Sequence, residues 1–154
     1  MLVTDDQFWA IIAQLDWARA GDDAAVLAPA AGALATLGPA AIAAFADHLA
    51  ARLHALDTRA HARQMGARAY RDEDPDAFSG DAFLYARCVV VANGPAYYAQ
   101  VLAEPRHMPK DLEFEALLGL APRAYELATG EAFDHLAEPD FETFANEAGW
   151  APDA

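Results

Sequence analysis

Along most of this chain the apolar residues recur every three or four positions, the spacing of one face of an α-helix, and short polar or Gly/Pro stretches divide the pattern into segments. Thr4-Asp5-Asp6-Gln7 has the form of a capping box, with Val3 and Phe8 placed as a hydrophobic staple, so a first helix is predicted from Asp5. It carries Phe8, Ile11, Ile12 and Leu15, and Gly21 is its predicted stop. Asp22 caps a second helix through Leu27, Ala31, Leu34 and Leu37, in which Pro29 is expected to delay the start or bend the axis. Gly38-Pro39 then separates it from a third helix, where Ile42, Phe45, Leu49, Leu53 and Leu56 share one face and Asp47, Arg52 and His54 take others.

Asp57-Thr58 offers a break or a cap before a more polar helical stretch to about Tyr70, and residues 71–76 form an acidic loop. The segment that follows differs from all others, because from Asp81 to Asn93 only Arg87 interrupts a run that is apolar on every side. A helix without a polar stripe belongs inside a core. Val89-Val90-Val91 favours a strand by propensity, but the length and the closing Asn93-Gly94 favour a helix. Pro95 opens a short helix closed by Glu104-Pro105, and helical spacing returns from Leu112 to Thr129, with Gly119 and Pro122 as kink positions and Gly130 as the cap. The tail holds Phe133, Leu136, Phe141, Phe144 and Trp150, too aromatic for disorder, and is expected to dock on the rest. The fold class predicted is all-α: one domain, 1–154, an irregular bundle of about six to eight helices around a buried central helix at about 81–93.

Composition narrows the functions. A chain of 154 residues, 55% hydrophobic, suffices for one well-developed core. A net charge of -14 argues against a nucleic-acid or anionic-membrane partner, since both need Lys and Arg. The single Cys88 excludes an internal disulfide and a cysteine-based zinc site, and no signal peptide or spanning segment is recognisable, so a cytoplasmic location is expected.

Candidate chemistry is sparse. Asp72, Asp74 and Asp76 alternate as in a calcium loop, but Ala77 stands where Gly is needed and Phe83 where the closing Glu is needed, so neither metal nor cofactor is expected. The five histidines include no His-Glu-x-x-His pair, and Ser79, the only serine, sits in no nucleophile elbow. Cys88 lies among valines, the setting of an inert thiol. Arg87 asks for acceptors, because an unpaired buried charge is very costly. They are either a structural ion pair, with Asp57 or an acidic group near Asp81, or the anion of a binding cleft.

Phe8-Trp9 with Ile11-Ile12, Leu53 to Asp57, and above all Gly80-Asp81-x-Phe83-x-Tyr85-x-Arg87 followed by Val89-Val90 and Gly94 resemble the bacterial domain-of-unknown-function family numbered 4240. The likeness runs from about Phe8 to Gly130, with Ala86 and Cys88 standing where that family usually has aromatic residues. It implies a small helical domain without an established activity and supplies no catalytic residues. Two functions stay open. The first is a non-catalytic, cytoplasmic protein-interaction module, an acidic neutraliser of a basic partner such as a toxin. The second is an enzyme or small-anion binder centred on Arg87, with Asp81 and Tyr85 beside it.

Overall fold

The computed structural model describes residues 3–152, and among these it contains eight α-helices and no strand. The helices are α1 (Asp5–Ile12), α2 (Asp23–Ala35), α3 (Pro39–Ala55), α4 (Arg59–Ala62), α5 (Gly80–Ala92), α6 (Pro95–Ala103), α7 (Leu120–Thr129) and α8 (Glu147–Trp150). The all-α fold is therefore as the periodicity predicts.

Residues 3–49 and 115–137 form one compact unit, and residues 50–114 and 138–152 another, with α3 beginning in the first and ending in the second. In the first unit α2 packs on α1 and α7, burying Val26, Leu27, Ala30, Ala31 and Leu34 of α2, and Phe8 stacks on Phe45 with ring centroids 4.8 Å apart. The Thr4 capping box forms as predicted: the Gln7 amide donates to Thr4 Oγ1 at 3.1 Å and the Thr4 amide to Gln7 Oε1 at 2.8 Å. Both orphan donors lie at an exposed helix end, so Thr4→Ala is expected to cost about 0.5–2 kcal/mol. An unchanged urea midpoint for that variant would show that the box contributes nothing.

The first helix is shorter than its apolar spacing suggests. It ends at Ile12 instead of continuing towards Gly21, because the Gln14 and Leu15 amides bond three residues back and the Asp16 amide pairs with the Val26 carbonyl. The Asp16 carboxylate then caps a single tight turn over Trp17–Arg19. Asp22 caps α2 by accepting from the Ala25 amide, and Pro29 does not delay the start; it lies inside the helix on the exposed side. There the helical bond that its missing N–H gives up can be replaced by water.

In the second unit α5 is the buried helix, with Ala82, Phe83, Leu84, Ala86, Arg87, Cys88, Val90, Val91 and Ala92 all inside. Ser79 caps it through the Ala82 amide. Two sequence expectations need correction in this part of the chain. The helix predicted as far as Tyr70 stops at Ala62, since Gly66 takes a left-handed turn (φ +104°) and the Tyr70 amide folds back onto the Ala62 carbonyl. The helix predicted from Leu112 starts only at Leu120, after a 3-10 turn over Glu115–Gly119; upstream, the Phe114 amide is taken by the Tyr85 carbonyl and Asp111 is left-handed (φ 56°). Gly130 closes α7 in the left-handed conformation expected of a C-terminal glycine.

Candidate functional site

Arg87 lies in α5 with no solvent exposure, and the sequence already demanded acceptors for it. The structure supplies carbonyl and hydroxyl oxygens instead of a contacting carboxylate. One terminal nitrogen, Nη1, donates to the Leu53 and Phe141 carbonyls, both at 2.9 Å, and Nη2 donates to Thr143 Oγ1 at 2.9 Å. Thr143 passes the bond on, its hydroxyl donating to the Gly80 carbonyl at 2.7 Å. The guanidinium carbon sits 4.7 Å from the centre of the Phe83 ring, one turn earlier on the same helix, and Nε makes no hydrogen bond. Burial pushes the guanidinium down to about 10, and the negative charge of Asp57 is the first influence that pulls it back up. At neutral pH the residue is therefore a buried cation that its surroundings compensate only in part.

Asp57 is the second buried charge of this unit and is likewise fully enclosed. Its Oδ1 accepts from the Phe144 amide at 3.2 Å and from Trp150 Nε1 at 2.8 Å, and its Oδ2 accepts from the Asn146 amide at 3.0 Å. Leu53, Leu56 and the turn after α3 bring Asp57 inward, while Thr58 caps α4 through the His61 amide. His61, four residues on, is also buried, its ring held between Thr58 Oγ1 (2.6 Å) and the Val101 carbonyl (2.8 Å), and burial lowers its pKa. A neutral imidazole that donates to a carbonyl and accepts from a hydroxyl satisfies both contacts.

The three residues singled out in the sequence do not converge. Asp81 and Tyr85 are four positions apart and share a side of α5, about 40° apart, whereas Arg87 follows Tyr85 by about 200° of helical turn. Asp81 is exposed and Tyr85 half-buried, while Arg87 points into the core. A surface cavity of about 210 Å³ does open near Ala82, walled by Met65, Arg68, Asp111 and Glu113 among others, and Arg87 does not line it. The Asp111 carboxylate there accepts from the Ala67 amide at 2.7 Å, and a β-carbon at Gly66 would collide with it. That carboxylate is thus part of the loop closure.

Among the described residues no cluster of three or more His, Cys, Asp or Glu is placed to hold a metal ion, and no helix is long and apolar enough to cross a membrane. In the acidic loop Asp72 is paired with Arg59 and Arg63 at 3.2 and 2.5 Å.

A family model described as "Protein of unknown function (DUF4240)" matches residues 3–127, a stretch that includes Phe8, the Leu53–Asp57 turn and α5. The chain belongs to DUF4240. No curated protein and no solved structure matches it. The DUF4240 match contains Asp57 and Arg87, yet Phe141, Thr143, Phe144, Asn146 and Trp150, which bond to them, lie beyond its end. Sequence reasoning missed this role for the tail. The available signals were an Asp directly after the Leu53–Leu56 apolar turn and a tail rich in aromatic residues.

Proposed function

We propose that this DUF4240 protein is a non-catalytic interaction module whose first unit presents an acidic surface to a basic protein partner. The observation that supports it is the charge distribution. Residues 3–49 and 115–137 carry ten acidic side chains against Arg19 and Arg123 alone, a net -8 (2 - 10), and eight of the ten carboxylates are exposed. So one-sided a surface attracts a cationic partner over distances of about a Debye length and speeds its encounter. Trp17, Leu127 and Leu136, exposed by 44%, 56% and 87%, add apolar side chains to the same unit. The alternative centred on Arg87 has less support, because both terminal nitrogens already bond to Leu53, Phe141 and Thr143.

The test is affinity capture from host extract with the native chain and with a Asp6→Asn/Glu126→Gln/Glu131→Gln/Asp134→Asn variant, at low salt and near 1 M salt, where the Debye length falls to about 3 Å. The expected result is a basic protein retained by the native chain at low salt only and depleted on the neutralised variant. Captured proteins indifferent to both changes would refute the proposal.

A further inference from the structure

The segment from Asp140 to Trp150 is bound to the second unit much as a peptide ligand is bound to a receptor. It enters that unit where the chain leaves the first, between Ala137 and Glu138. Its main chain is read at several points by side chains of α3, α4, α5 and the turn after α3. His54 Nδ1 meets the Asp140 carbonyl at 2.8 Å, Arg87 holds the Phe141 carbonyl and Thr143 Oγ1, and the two oxygens of Asp57 take the Phe144 and Asn146 amides. At the far end Arg59 Nη2 donates to the Trp150 carbonyl at 2.6 Å, and the Trp150 indole N–H returns to Asp57. Asn146 Nδ2 bonds the His54 carbonyl at 3.1 Å.

Two backbone features show that the site imposes this conformation. Phe144 is left-handed (φ 79°), a conformation that aims its amide at Asp57 and sets its ring 4.6 Å from that of Trp150. Gly149 passes so close to the chain at Asp57 that a β-carbon there would stand 2.7 Å from the Asp57 carbonyl oxygen. Side-chain specificity comes from the Thr143 hydroxyl, which both accepts from Arg87 and donates to Gly80, and from the Trp150 ring, which is buried against Phe78, Tyr70 and Arg59. The binding side chains sit within the stretch that defines the family and the bound segment outside it.

We propose that the second unit is a peptide-binding site, occupied here by the chain's own residues 140–150, and that on release of this segment the site accepts the same segment from a second copy of the chain. The ligand class is a peptide that turns at Phe144 and ends in one helical turn, Glu147–Trp150, presenting a carbonyl to Arg87, a hydroxyl two residues later, two amides to Asp57 and a tryptophan at the far end. Exchange needs no new chemistry, since identical bonds re-form between copies, and a segment in place competes with any incoming one by lowering the fraction of open sites.

The test uses two full-length variants. Thr143→Ala/Trp150→Ala keeps the site and spoils the segment; Asp57→Asn keeps the segment and spoils the site. Each alone is expected to sediment as a monomer with a lowered melting temperature, and the equimolar mixture to form a 1:1 complex melting higher than either. A mixture that sediments as monomers and melts as the sum of its parts overturns the proposal. A fluorescent peptide of residues 138–152 serves as the second measurement: it is expected to bind the Thr143→Ala/Trp150→Ala chain at least about 100-fold more tightly than the native chain, whose site is filled. Should that variant be unfolded alone, the peptide must restore a cooperative melting transition, and failure to bind or to restore it equally overturns the proposal.

Discussion

Arg87→Met is expected to lower stability by about 3 kcal/mol, the low end of the range for breaking a buried charged network by removing one partner. Methionine keeps the apolar stem against Phe83 but leaves the Leu53 and Phe141 carbonyls without their donor, and removes the cation that the Asp57 charge favours. The low end applies because Arg87 itself is costly to keep charged: burial depresses its pKa to about 10, so the native arrangement recovers only part of the desolvation penalty. For a chain of this length the loss corresponds to a fall in melting temperature of roughly 6–12 °C. Parallel urea titrations of the native chain and Arg87→Met measure it. Equal midpoints would mean that water reaches the guanidinium and that its bonds to the tail contribute nothing, which would return the anion-site reading to first place.

Local signals in this sequence told most about the ends of helices, and least about what a helix touches. Thr4, Asp22, Thr58 and Ser79 each cap the helix they precede, and Gly38, Gly94 and Gly130 each stand at a helix boundary with positive φ, because capping and left-handed turns are decided within four residues. The apolar spacing of α3 identifies Ile42, Phe45, Leu49 and Leu53 as core residues for the same reason. Where apolar spacing continued beyond a true helix end, the prediction ran on: past Ile12, past Ala62 and upstream of Leu120. In each case a backbone amide finds a partner remote in sequence, as Asp16 does at Val26 and Phe114 at Tyr85, and no periodicity carries that information.

The aromatic tail shows the same division. Composition rightly says that it is not a disordered polar tail, and Trp150 is buried, but Leu136 and Phe144 stay exposed where hydrophobicity alone would bury them. What seats the tail is polar: the Asp57 and Arg87 contacts span 54 to 93 positions of sequence. Arg87 announced itself as a buried charge in an apolar run. Asp57 was legible only as a possible partner for Arg87, and not as the acceptor of the tail's amides, because an Asp followed by Thr at the end of a helix looks like an ordinary cap.

Asp57→Asn is expected to cost about 3–5 kcal/mol, more than Arg87→Met, although it changes one atom for another of similar size. The carboxylate is an acceptor on both oxygens, and an amide offers one acceptor and one donor. If the amide nitrogen replaces Oδ2 it faces the Asn146 N–H, and if it replaces Oδ1 it faces both the Phe144 N–H and the Trp150 indole N–H; either way buried donors confront each other. The substitution also removes the negative charge that offsets Arg87. That shared electrostatic dependence fixes the outcome of the double variant. Once Arg87 is gone, Asp57 is a buried anion held by its three N–H donors alone, and neutralising it recovers part of the loss, so Arg87→Met/Asp57→Asn is expected to be about 1–2 kcal/mol more stable than the sum of the two single losses predicts. Urea midpoints of the four proteins complete the cycle, and hydrogen exchange across residues 141–150 is expected to rise in all three variants. Losses that add to within about 0.5 kcal/mol would show that the two charges act on the tail independently and that no network joins them.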